Sequence, residues 1–139
     1  MTEELPTIRA IRIHGLDDAL AALEAAEALG CPALLVSAPG AAGSVGALWF
    51  REVVAAARAR YPGVAVTALL DCADQPGDAL GALRAGIADI GLDASAETLA
   101  RMRDIATALG GRVHGHLPAC LDLRGRRDPV RACHEWLAE

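Results

Sequence analysis

Five short, largely apolar runs recur along this chain at a nearly constant interval, and that beat restricts the fold more than any other feature. The runs are residues 8–14, 33–37, 64–70, 88–92 and 112–116, with starts 25, 31, 24 and 24 residues apart. Each gap holds a helical pattern. A βα unit repeated at this spacing predicts a parallel sheet with crossover helices.

The helical segments carry their own signals. Over residues 17–29, Ala19, Ala22, Leu23, Ala26 and Leu29 share one side, with Glu24 and Glu27 opposite, and Gly30 and Pro32 stop the helix. Over 47–60, Trp49, Phe50, Val53, Val54 and Ala57 are expected to face inward. A short helix is expected over 77–85 with Gly86 as its cap. Ser95 caps the next, whose stripe is Leu99, Met102, Ile105, Ala106 and Leu109. A last helix, 128–138, opens with Asp-Pro. Residues 122–128 read as a solvated loop. Residues 1–139 form a single α/β domain on this reading.

Strand order follows from polarity. The second, third and fourth runs are nearly all apolar, as strands covered on both faces should be. The first carries Arg9, Arg12 and His14, and the fifth Arg112, His114 and His116. Placing those two at the edges gives the order 1-2-3-4-5, five βα units in a half-barrel of the TIM type. The alternative is a three-layer flavodoxin-like sheet of order 2-1-3-4-5, which buries the first strand.

Residues 11–99 resemble the first half of a small aldolase-type βα barrel, that of the 2-keto-3-deoxy-6-phosphogluconate aldolases. The resemblance lies in IHGLDDALAALEAAEALGCPALLVS, REVVAAARARYPGVAV and ALRAGIADIGLDASAETL. Receiver domains share the last of these more weakly. The resemblance implies the scaffold and neither activity. The aldolase lysine has no counterpart, because the chain contains no Lys and all 13 basic residues are Arg. The aldolase glutamate and arginine fall on Val36-Ser37-Ala38-Pro39, and its Gly-Thr turn on Leu70-Asp71-Cys72. The receiver's phosphoacceptor aspartate falls near Ser37.

Ligands of parallel sheets sit beyond the carboxyl ends of strands. The polar residues expected there are His14, Ser37, Asp71, Cys72, Asp93, His114 and His116. Residues 37–46, SAPGAAGSVG, join a strand to a helix and space three glycines as G-x-x-G-x-x-G. Such a loop can turn backbone amides toward an anion. Ser37, Gly40, Gly43, Ser44, Gly46, Asp71, His14 and His114 are therefore the expected ligand-binding set, for a small anionic or phosphate-bearing ligand. The rival expectation is a non-catalytic module for assembly or protein interaction.

Other classes are disfavoured. A net charge of −5 and four aromatic residues argue against nucleic acid and anionic membranes. The acidic start, MTEE, lacks the basic and apolar regions of a signal peptide. Cys31, Cys72, Cys120 and Cys133 form no C-x-x-C pair and are expected as reduced thiols in a cytoplasmic protein. His114, His116, Cys120, Cys133 and His134 cluster in sequence. Cys133 and His134 diverge by about 100° on a helix, so no metal and no cofactor is expected. Half of the side chains on the apolar strands point away from the helices. The final helix, with Trp136 and Leu137, and a second copy of the chain are expected to cover them, giving a homodimer or larger homo-oligomer.

Overall fold

The structure, a computed structural model, describes residues 9–44 and 46–139. Its elements are β1 (Ala10–Arg12), α1 (Leu16–Leu29), β2 (Ala33–Val36), α2 (Ala41–Ser44), α3 (Ala47–Arg60), β3 (Val66–Asp71), α4 (Pro76–Arg84), β4 (Asp89–Gly91), α5 (Ala96–Leu109), β5 (Arg112–His114), β6 (Cys120–Asp122) and α6 (Pro129–Ala138). The strand order is β5-β4-β3-β2-β1-β6. Strands pair in parallel, with Ala10 opposite Leu34 and Cys120, Leu69 opposite Asp89, and Asp89 opposite Arg112. The α/β fold with sequential strands is as expected, and the flavodoxin order is excluded.

One strand and several faces differ from expectation. β6 pairs with β1, so β1 is an interior strand and not an edge; Ala10 and Ile11 are fully buried. The residues that made β1 look wetted lie at its margins. Arg12 is half-buried at its last position, and His14 follows it; residue 8 lies outside the described residues. Trp49 is exposed on α3, while Phe50 beside it is buried. On α5 only Met102 and Ala106 are buried, and Ile105 and Leu109 face solvent. The stripe is narrower than its apolar residues suggest.

Local chemistry sets the helix ends. Gly30 takes the left-handed conformation (φ 66°) after α1, and its amide donates to Ala26 and Glu27. Ser95 caps α5 by accepting from the Thr98 amide, and Asp128 caps α6 by accepting from the Arg131 amide with Pro129 next. Asp18 in the first turn of α1 accepts from the His14 amide at 2.8 Å.

The chain divides into two compact units. Among the described residues, one comprises 9–36, Glu52–Ala68 and Pro118–Glu139; the other comprises Ser37–Arg51 and Leu69–Leu117. In the first, α6 packs against α1. Trp136 Nε1 donates to the Ala10 carbonyl at 3.0 Å, and Arg9 lies 4.5 Å over its ring. Ile11, Leu23, Leu34, Leu35 and Cys133 are fully buried there. In the second unit the buried side chains include Phe50, Leu69, Leu70, Cys72 and Ile90. Among the described residues no helix is long and apolar enough to cross a membrane.

None of the four cysteines is in a disulfide. Burial pushes the Cys72 thiol up to about 12, with the Asp71 and Asp78 charges adding to the effect. Burial also pushes Cys133 up to about 12; Asp18 adds, and Arg126 opposes. The thiolate is the reactive form. Titration of the native protein with a thiol reagent at pH 8 is therefore expected to count Cys31 and Cys120 rapidly. The other two should react only after denaturation.

Candidate functional site

In the second unit, β3, β4 and β5 end side by side at Asp71, Gly91 and His114. Asp71 is held from two directions. Its amide donates to Ser37 Oγ at 2.9 Å, and its Oδ1 accepts from the Ala73 amide at 2.9 Å. That second bond closes a turn in which Ala73 has φ 53°, the one non-glycine residue with positive φ among the described residues. A left-handed alanine is strained by about 1 kcal/mol or more. The Ala73 carbonyl in turn accepts from the Asp93 amide at 2.8 Å, tying the loop after β3 to the loop after β4.

These loops bound a cleft of about 320 Å³, lined by Asp71, Ala73, Asp93, His114, His116 and Leu117 among others. Leu117 forms part of its wall by lying over Gly91, where a Cβ would meet Leu117 Cδ2 at 2.6 Å. A side chain on Gly91 would therefore displace Leu117. Carboxylates and imidazoles side by side can accept from and donate to hydroxyl groups. Cys72, with its thiol raised, is not a nucleophile here.

Below the cleft lies Asp89, a buried carboxylate at the start of β4. Its Oδ1 accepts from Arg112 Nε at 2.8 Å and lies 2.8 Å from His114 Nε2, and its Oδ2 accepts from an Arg112 terminal nitrogen at 2.9 Å. The bidentate fork suits a carboxylate.

The glycine loop makes a different use of its amides. Gly40 donates to the Asp71 carbonyl, Ala41 to Ala38, Gly43 to Gly40 and Gly46 to Ala41. Those bonds engage the amides of Gly40, Ala41, Gly43 and Gly46 within the loop and its α2 turn. A Cβ on Gly43 would also stand 2.9 Å from an Asp78 carboxylate oxygen, so the loop faces negative charge. Of Ser44 only its place at the end of α2 is described, and Val45 lies outside the described residues. Ser37 is buried beneath Asp71 and braces it.

His14 belongs to the first unit. Its Nε2 meets Asp122 Oδ1 at 2.6 Å, beside a cleft of about 370 Å³ formed by His14, Gly15, Leu16, Asp17 and Asp18. Partial burial pushes the Asp122 carboxyl up. The Arg124 amide, the His14 hydrogen bond and the charges of His14 and Arg12 outweigh it and hold the group below its ordinary range. Among the described residues no three His, Cys, Asp or Glu side chains gather closely enough to hold a metal ion.

Asp89 and Arg112 are polar residues of this chemistry that the strand-end rule does not select; Asp122 ends β6, a strand the sequence pattern does not announce. Asp89 and Arg112 open their strands instead of closing them. A clue to Asp89 is its position as a lone charge inside the apolar run Ile87-Ala88-Asp89-Ile90.

A family model described as fructose-bisphosphate aldolase class-II matches residues 2–116. A crystal structure of a Coccidioides immitis protein, provisionally named fructose-1,6-biphosphate aldolase, is similar with a TM-score of 0.60 and 26% sequence identity. The match covers 76% of this chain and 39% of that one, so the chain spans well under half of that relative's length. No curated protein matches. The aldolase-type barrel scaffold stands, and the particular resemblance to 2-keto-3-deoxy-6-phosphogluconate aldolases is corrected to a different aldolase family.

Proposed function

The chain belongs to the class-II fructose-bisphosphate aldolase family, and from that footing we propose that it binds a phosphorylated sugar in the cleft between Asp71, Asp93 and His114. The family match over residues 2–116 carries this reading. The cleft supports it, because it opens where the strands end and offers acceptors for several hydroxyls. Two carboxylates line it, so the sugar's hydroxyls face Asp71 and Asp93 while its phosphate lies toward exposed His116 at the rim. The Gly40 amide, bonded to the Asp71 carbonyl, makes that loop a brace for Asp71.

Thermal unfolding tests the reading. A ligand that binds only the native state, at 100 times its dissociation constant, stabilises by about 2.7 kcal/mol. Fructose 1,6-bisphosphate or dihydroxyacetone phosphate is expected to raise Tm by several degrees, and fructose or inorganic phosphate alone by much less. No rise with any phosphorylated sugar contradicts the proposal.

A second reading has its own observation. Leu48 and Trp49 are 59% and 37% exposed on the first turn of α3, beside a groove floored by Ala42, Gly46, Gly77 and Gly81. Adjacent exposed apolar side chains of this size favour an association surface, and on this reading the partner is a second copy of the chain. Light scattering at micromolar concentration is then expected to give about twice 14.3 kDa. A clean monomer removes it.

A further inference from the structure

Asp89, Gly91, Arg112 and His114 lie on one face of neighbouring strands, because side chains alternate and the register pairs Asp89 with Arg112 and Gly91 with His114. An ionised carboxylate accepts hydrogen bonds and donates none. The 2.8 Å bond between Asp89 Oδ1 and His114 Nε2 therefore has the ring as donor. Arg112, gripping both carboxylate oxygens, orients Asp89 for that bond. With the proton on Nε2, the lone pair of a neutral imidazole is on Nδ1. No side-chain nitrogen is both buried and unpartnered among the described residues. His114 lines the cleft that holds Asp71 and Asp93.

We infer that His114 Nδ1 is the lone-pair acceptor of the cleft, and that Asp89 is the positioning residue that fixes the ring in this tautomer. The inference rests on the phosphorylated-sugar reading for its ligand: Nδ1 accepts the proton of a sugar hydroxyl that also lies against the carboxylates. The Asp89–Arg112 pair does not touch the ligand. It acts through the ring, by holding the neutral ring's proton on Nε2 and so leaving the lone pair on Nδ1.

Two measurements test this, one of them independent of any ligand. Nitrogen-15 spectra of the ring in the ligand-free protein should show Nε2 protonated and Nδ1 bare. A proton on Nδ1, or an even mixture, overturns the inference whatever the protein binds. The second measurement separates the two ring nitrogens by substitution and reads fructose 1,6-bisphosphate affinity calorimetrically. His114→Gln keeps a donor near the place of Nε2 and loses the acceptor; its Tm should hold while affinity falls at least about tenfold. His114→Asn keeps an acceptor near the place of Nδ1 and releases Asp89; its Tm should fall while affinity stays within a few-fold. Wild-type affinity in His114→Gln overturns the inference, leaving His114 only a partner for Asp89. If the wild-type protein itself fails to bind the bisphosphate, the sugar reading fails, and the ring-nitrogen spectrum alone decides the tautomer.

Discussion

Asp89→Ala is expected to destabilise the protein by about 3 kcal/mol, at the lower end of what breaking a buried ion pair produces. The carboxylate is only 3% exposed and satisfies two side chains at once. Without it the His114 ring, itself mostly covered, keeps an N–H that has lost its acceptor, which costs about 1–3 kcal/mol. Arg112 loses both arms of its fork. Its side chain is 39% exposed and can turn to water, which limits the damage. The check is the urea midpoint at constant m-value. A loss below 1 kcal/mol would mean that the cluster is not a buried, coupled network.

Trp136→Ala should cost a similar amount, about 3 kcal/mol, since removal of a large aromatic side chain from a packed site takes 3–5 kcal/mol and this one is only half-buried. The indole joins α6 to the start of β1 through its bond to the Ala10 carbonyl and lies under Arg9. Trp136→Phe keeps most of the ring's packing and loses the N–H donor, so about 1 kcal/mol is expected. Equal losses in the two variants would assign the effect to the hydrogen bond. A negligible loss in Trp136→Ala would show that α6 is not an integral part of its unit.

The sequence carries the repeat, and with it the strand order, because each βα unit announces itself through local pattern: an apolar run, an amphipathic helix, a glycine or proline stop. β6 carries no such announcement. Cys120, Leu121 and Asp122 become a strand because β1 offers them a free parallel edge, a tertiary opportunity that three residues cannot encode. The misplacement of β1 at an edge follows from that omission. So does the missing His14–Asp122 pair, whose members are 108 residues apart. Periodicity finds an apolar stripe but not the width of the surface that covers it, which is why Trp49, Ile105 and Leu109 face solvent.

The site was legible in proportion to how far it obeys the strand-end rule. Asp71, Asp93, His114 and His116 end strands or follow them, and all four line one cleft. Ser37 ends a strand too, but its hydroxyl is bonded inward, a choice set by the approach of Asp71. The glycine spacing of residues 37–46 suggests free amides. Carbonyls of Ala38, Gly40, Ala41 and Asp71 claim those of Gly40, Ala41, Gly43 and Gly46, and only the folded geometry reveals it.

Amide chemical-shift mapping with fructose 1,6-bisphosphate tests the central claim most directly. The account predicts saturable shifts at Ala73, Asp93, Gly115 and His116, the backbone around the cleft, with residues 40–46 moving less. Shifts confined to residues 40–46, or none at saturating ligand, would contradict it.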